Sequence, residues 1–281
     1  MLATALIVFR EVLEAALVVG IVLAASRGVP RRFRWVAGGI SGGVLGAVLV
    51  AAFAGKIAQA VQGVGQELFN AAVLFLAVGM LGWHNVWMGR HGRELAIEAG
   101  DVGKAVLAGV KPLYALFTVT ALAVLREGSE LVLFLYSVAA ANATSAPALA
   151  SGIVIGLAGG SAVGAALYFG LLRIPLRHLF TVTSWMILLL AAGMAAQGAA
   201  FLVQADLLPS FGNELWDTSG LLSESSIIGQ VLHALVGYVS RPAGIQVVFY
   251  LATLVVIGSL MRFVGGSGPS IKSRPAAAAA E

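Results

Sequence analysis

The sequence has no cysteine and few charged residues, and each shortage narrows the possible functions. Without cysteine, disulfides, thiolate metal sites and thiol nucleophiles are excluded, so any metal ion must be bound by oxygen or imidazole ligands. Charged residues occupy 11% of the 281 positions and hydrophobic residues 59%, whereas a soluble domain has about 25% charged residues. This composition predicts an integral membrane protein.

Seven apolar stretches approach the ~20 residues that a helix needs to cross a bilayer. They lie at about 3–25, 35–55, 67–88, 113–140, 148–172, 179–204 and 244–264. Because unpaired backbone groups cannot face lipid, each stretch is expected to be a helix, and the fold class is all-α with seven transmembrane helices. The first stretch lacks a basic leading region and is expected to be a retained helix, not a signal peptide.

Basic residues in the connecting segments predict the orientation. Thirteen Lys and Arg residues follow the first, third, fifth and seventh stretches, whereas the segments on the other side contain only Lys56 and Arg241. The positive-inside rule therefore predicts a multi-pass cell-membrane protein with the N-terminus outside and the C-terminus in the cytoplasm. The basic excess reflects this topology and attraction to anionic membrane lipid, and it does not indicate nucleic-acid binding.

The first stretch contains a charged motif that returns later in the chain. "FREVLE" supplies Arg10, Glu11 and Glu14, and "LREGSE" supplies Arg126, Glu127 and Glu130 at positions 116 residues further on. The likeness extends to the stretches that follow, where Gly39, Gly42 and Gly43 match Gly156, Gly159 and Gly160, and "AVGM" at 77–80 matches "AAGM" at 191–194.

These matches predict two copies of a three-helix unit, repeat 1 at about 1–88 and repeat 2 at about 113–204. With three spans per copy, the second copy is inverted, a plan that transporters use to form a substrate site near the middle of the membrane. An acidic outer loop at 205–243 and a seventh helix at 244–264 complete a transport domain over 1–265. The low-complexity residues 266–281 are expected to form a disordered cytoplasmic tail. The acidic loop is either a solvated surface or a vestibule that attracts cations.

The two motifs place four carboxylates and two guanidinium groups at membrane depth. Each charge costs about 2.5–3.5 kcal/mol there, so the six must face the protein interior. One interpretation is a pair of structural ion-pair clusters that lock the first helix to the fourth. The net charge of this set is two minus, however, and a buried excess of this kind requires a cation or bound protons.

The motifs therefore predict a metal-ion site. Its ligands are expected to be Glu11, Glu14, Glu127 and Glu130, which share one face of their helices, and the arginines hold the carboxylates through contacts four residues apart. Carboxylate oxygens suit a hard cation, but this chemistry alone leaves iron, manganese, magnesium and calcium open.

Three further residues are weaker candidates. Glu67 lies at the outer end of the third stretch and Asp217 lies in the acidic loop, so either could pass a cation towards the site, although a solvated surface acid is the simpler interpretation of both. His84 lies within the third stretch, and a single His is more often a hydrogen-bonded interior residue than a metal ligand.

The doubled motif resembles the iron permease family of fungi and bacteria. The copies here read "REVLE" and "REGSE", where the family more often shows Arg-Glu-Gly-Leu-Glu, and the charged residues are the same. The likeness continues in "QELF" at 66–69, in "VWM" at 86–88, and in "GY" at 237–238 with the following Pro242. It implies a permease that carries iron, ferric or ferrous, into the cytoplasm through the four glutamates.

The resemblance implies no cofactor beyond the transported iron, and it implies that an extracytoplasmic oxidase or iron-binding partner could deliver the ion. Two other interpretations stay open at this point. One is a transporter or exchanger of another divalent cation with the same inverted plan. The other is a membrane di-metal enzyme, which is disfavoured because such centres add Glu-x-x-His pairs that this sequence lacks.

Overall fold

The computed structural model describes residues 1–61, 65–141, 145–170, 176–212, 214–224 and 226–265. Within these ranges the regular structure is entirely helical, as predicted. The helices are α1 (Leu2–Ala25), α2 (Arg32–Val61), α3 (Gln66–Leu107), α4 (Tyr114–Ala141), α5 (Ala146–Tyr168), α6 (Leu176–Gln204), α7 (Ile227–Val236) and α8 (Gly244–Gly265). The predicted tail at 266–281 lies outside the described residues.

Five of the described helices are long and apolar enough to cross a membrane, in α2, α3, α5, α6 and α8. The remaining two long helices, α1 and α4, have 24 and 28 residues. At about 1.5 Å per residue both exceed the hydrocarbon thickness of about 30 Å. Each contains the three charges of one motif, and this is what sets α1 and α4 apart from the five helices that contain a long apolar span.

Helix α3 is much longer than the predicted span at 67–88, because the connecting segment expected after residue 88 is itself helical. The helix has 42 residues and continues to Leu107, a length of about 63 Å that no bilayer core could contain. Its second half packs on the end of α1, where a Cβ added at Gly103 would lie 2.7 Å from Ala25 Cβ. A separate core joins this part of α3 to α1, α2 and α4, and includes Val22, Val36, Ala99, Val106 and Leu116.

The acidic segment 205–243 is not an irregular loop throughout, because it contains the ten-residue helix α7. The Ser226 hydroxyl caps this helix by accepting a hydrogen bond of 2.9 Å from Gly229 N–H. Gly237 ends it in the left-handed region at φ 68° and lies directly against Gly193 of α6. Tyr238 OH then donates to Leu222 O at 3.0 Å. These contacts hold the segment in a folded conformation beside α6.

Helices α1 and α4 pair crosswise with the glycine-rich helices, α1 with α5 and α2 with α4. A Cβ added at Gly156 of α5 would lie 2.7 Å from Ala5 O, and one added at Gly43 of α2 would lie 2.8 Å from Ala121 O. Small residues let helix backbones approach this closely in lipid. The two contacts are equivalent, because Ala5 and Ala121 differ by the same 116 positions as the charged motifs.

The contacts align α2 with α5 in a register that differs by four residues, about one helical turn, from the register that the sequence match predicts. Gly39 lies against Thr120, and its counterpart by contact is Gly152, which lies against Thr4. The sequence match instead pairs Gly39 with Gly156. Helix α5 has buried glycines at every fourth position, 152, 156, 160 and 164, so an alignment can slip by four residues and still match glycine with glycine.

Helix α3 occupies the centre of the described structure. It packs against α1, α4, α6 and α8, whereas α6 makes few contacts with α1 or α4. A core cluster lies along it and includes Ile7, Leu74, Leu81, Phe134, Ile187 and Ile257. The middle of α3 therefore lies beside both charged helices.

Candidate metal site

The first motif lies fully inside the protein on α1. Arg10 Nε lies 2.9 Å from Glu14 Oε1, and Arg10 Nη1 lies 3.7 Å from Glu11 Oε1. The 2.9 Å contact is an ion pair that is not aligned as a hydrogen bond. The side chains of Arg10 and Glu14 are only 2% and 3% exposed. The predicted contact between residues four apart is therefore present, and it is shielded from the surroundings.

The second motif repeats this arrangement on α4 with greater exposure. Arg126 Nε lies 3.3 Å from Glu130 Oε1 and 3.7 Å from Glu127 Oε1. The Arg126 side chain is 29% exposed and that of Glu130 is 20% exposed. The Arg126 guanidinium also stacks over the Trp87 ring at 4.5 Å. The two motifs thus have the same internal geometry, but the second is the more accessible.

Helix α3 brings His84 between the two motifs. His84 Nε2 lies 3.6 Å from Glu14 Oε2, and His84 Nδ1 contacts Glu130 Oε2 directly. One ligand atom from each of Glu11, His84, Glu127 and Glu130 lies within 4.8 Å of the others. We call these residues the four-residue site. Glu14 lies at its edge, paired with Arg10 and adjacent to His84, and its role as a ligand stays a prediction.

The carboxylates of the site are buried without a full set of partners. Among the described residues, neither oxygen of Glu11 has a hydrogen-bond donor, and Glu127 Oε2 also has none. Buried charges in proteins are normally paired or bound to metal ions. The site therefore offers acceptor atoms that a cation could use.

The sequence pattern did not single out His84, which the structure places beside a glutamate of each motif. A single histidine carries no spacing signal, and its ligand atoms meet the glutamates only through the packing of α3 against α1 and α4. The available signal was its position, because an ionisable residue inside a membrane span marks a functional site by default. The neighbouring Asn85 adds a second buried polar group in the same turn.

The two surface candidates lie apart from the four-residue site. Glu67 is exposed in the first turn of α3. Asp217 accepts hydrogen bonds of 2.6 Å and 2.8 Å from the Ser219 hydroxyl and N–H, and pairs with Arg241 at 3.0 Å. These hydrogen bonds, with the Arg241 ion pair, lower the pKa of Asp217 to about 2. Asp217 thus helps to fold the acidic segment, and its role in passing a cation stays a prediction.

Paired carboxylates, guanidinium groups and an imidazole, buried among helices of membrane-spanning length, define a class of ion-handling membrane proteins. The chain matches the Iron permease FTR1 family over residues 1–268. It therefore belongs to the iron permease family, as the sequence resemblance predicted. It is a multi-span membrane protein that transports iron across the membrane, and it is a permease and not an enzyme.

Curated relatives agree with this assignment. The chain is 32% identical over 263 residues to "Ferrous iron permease EfeU" of Escherichia coli O6:H1, covering 92% of this chain and 94% of the relative. It is 31% identical over 254 residues to the protein of the same name from Shigella sonnei, covering 89% and 91%. The Yersinia pestis protein of that name is 31% identical over 254 residues, covering 89% of each chain. No solved structure matches the chain.

Proposed function

We propose that this protein carries ferrous iron into the cytoplasm, and that the ion binds between the two Arg-Glu-x-x-Glu motifs. The observation that carries the proposal is the four-residue site, in which groups from α1, α3 and α4 lie within 4.8 Å of one another. Carboxylate and imidazole ligands together suit ferrous iron. The relatives' names also specify ferrous iron.

In this proposal the two arginines hold the carboxylates in place for the ion. Each lies within 3.7 Å of both glutamates of its own motif. With a neutral imidazole, four carboxylates and two guanidinium groups have a formal charge of two minus, and a divalent ion neutralises it. Glu14 belongs to the proposed ligand set because a small movement of Arg10 would free its oxygens. Glu67 and Asp217 belong to the proposed outer route of the ion.

We further propose that all seven long helices span the membrane, as two inverted three-helix repeats followed by α8. The equivalent contacts of α1 with α5 and of α4 with α2 support this arrangement, since a repeat would generate them in pairs. The charges of α1 and α4 face each other and His84 in the interior, so they are no obstacle to spanning. An extracytoplasmic oxidase or iron-binding protein is the proposed source of the ion.

The transport proposal is tested with purified protein in liposomes. We expect ferrous iron added outside, under reducing conditions, to reach an iron-sensitive dye inside much faster than in protein-free liposomes. The same vesicles made permeable with an ionophore give the maximum signal. Uptake no faster than in protein-free liposomes would contradict the proposal.

The orientation and the spanning of α4 are tested by cysteine labelling, which the cysteine-free chain makes straightforward. Lys111 and Ser145 are exposed residues on either side of α4. With the proposed topology, Ser145→Cys in intact cells reacts with a membrane-impermeant maleimide. Lys111→Cys reacts only after the cells are permeabilised. Equal reactivity of both in intact cells would exclude α4 as a span, and reversed reactivity would invert the topology.

A further inference from the structure

We infer that His84 determines which metal ions the site accepts, by making it a mixed imidazole and carboxylate site. Such a site favours ferrous iron and similar transition-metal ions over Mg²⁺ and Ca²⁺. This inference rests on the proposed function, because it assumes that the four-residue site binds the transported ion. It goes further by assigning ion selectivity to one residue.

The first support is the position of the ring between the motifs. Its Nε2 lies 3.6 Å from Glu14 of α1, and its Nδ1 contacts Glu130 of α4. Whichever nitrogen binds an ion, the other can keep a carboxylate partner. Metal-binding histidines usually have such a partner, which fixes the ring orientation and increases ligand basicity.

The second support is that the repeat does not account for His84. The match of Gly79 with Gly193 pairs His84 with Gly198, so repeat 2 has no imidazole at the equivalent position. The packing differs in the same way, because α3 contacts both charged helices and α6 contacts them little. The carboxylates and guanidinium groups come in symmetric pairs. The imidazole at this position occurs in repeat 1 alone, so the duplication that accounts for the charged groups does not account for it.

The third support is that His84 is held in place from two sides. Its ring packs edge-on against Phe134, with ring centroids 6.4 Å apart. The next residue, Asn85, donates a hydrogen bond of 2.9 Å to Ser184 O of α6 and lies 3.6 Å from Met261 Sδ of α8. These contacts fix the rotation of α3 about its axis. Because its position is fixed in this way, the imidazole can favour some ions over others through their different ligand preferences.

The ligand preferences of the ions then separate the candidates that carboxylate chemistry alone does not distinguish. Mg²⁺ and Ca²⁺ bind oxygen ligands, whereas imidazole is a good ligand for iron, nickel, copper and zinc. Replacing one oxygen ligand by imidazole therefore weakens the hard ions relative to ferrous iron. Manganese, which binds more weakly than iron in the general affinity order, falls between them.

The test measures how other ions compete with ferrous iron uptake into liposomes. For the wild-type protein we expect Co²⁺ and Ni²⁺ to inhibit at concentrations far below those needed for Mg²⁺ and Ca²⁺. For His84→Gln, which keeps a neutral polar side chain, we expect the preference for Co²⁺ over Mg²⁺ to fall by at least about tenfold. His233→Gln is the matched control, because that imidazole lies in α7 against Tyr238 O.

Several results would overturn the inference. The first is His84→Gln transporting iron with an unchanged competition profile. The second is a wild-type protein that Mg²⁺ inhibits as strongly as Co²⁺ does, a result that needs no variant and so applies even if His84→Gln misfolds. A third, spectroscopic result is the absence of nitrogen coupling in pulsed magnetic resonance of Mn²⁺ bound to the wild-type protein. Absence of wild-type iron uptake would instead overturn the proposed function itself.

Discussion

Glu127→Gln is expected to abolish iron uptake while leaving the protein folded. The substitution keeps the shape of the side chain and removes its charge. Glu127 is buried, its Oε2 has no donor among the described residues, and it belongs to the four-residue site. An amide is a much weaker ligand for iron than a carboxylate. Because even outer partners of metal ligands contribute about 10–100-fold, we expect uptake to fall by at least about 100-fold.

The equivalent change in repeat 1, Glu11→Gln, is expected to have an effect of the same size. Glu98→Gln is the control, because Glu98 is exposed on the extension of α3. Uptake is measured in liposomes at matched protein content, and folding is checked by size-exclusion chromatography. Uptake within about twofold of wild type in either site variant, a difference below about 0.5 kcal/mol, would remove that carboxylate from the proposed route.

Much of this fold could be predicted because membrane helices are constrained by the length and hydrophobicity of their spans. Each predicted stretch overlaps one of the long helices, and the motifs on α1 and α4 contain the three glutamates of the four-residue site. Helix α7 was not predicted because its ten residues are too few to cross a bilayer, and the extension of α3 was not predicted because it lies outside the apolar stretches. The extension begins among charged and glycine residues, and it packs against α1 in a core that the sequence pattern does not reveal.

The site illustrates what sequence could and could not supply. The spacing within each motif predicted the ion pairs Arg10 with Glu14 and Arg126 with Glu130, and both are present. The contribution of α3 depends on which side of that helix faces the motifs, and one rotation of about 100° would turn His84 away. No pattern in the chain fixes that rotation. Tertiary contacts such as those of Asn85 do.

Arg10→Met is expected to destabilise the protein strongly, and far more than Arg126→Met. The Arg10 side chain is 2% exposed and is among the largest fully buried side chains. Removing its charge leaves Glu11 and Glu14 without their nearest cation, and breaking a buried ion pair costs about 3–5 kcal/mol. Arg126 is 29% exposed, and its partner Glu130, which is 20% exposed, keeps its contact with His84, so the loss of Arg126 leaves a carboxylate that still has a partner and is not fully enclosed. The measurement is the thermal unfolding midpoint in detergent.

The double variant Arg10→Met with Glu14→Met separates folding from transport. Replacing both members of a buried ion pair by apolar residues of similar volume is often neutral or stabilising. We therefore expect the double variant to recover much of the stability lost in Arg10→Met. We also expect it to transport poorly, because its remaining carboxylates are no longer held as before. An Arg10→Met protein as stable as wild type, or less destabilised than Arg126→Met, would contradict this account. The difference in burial between the two motifs would then not affect the stability of the protein.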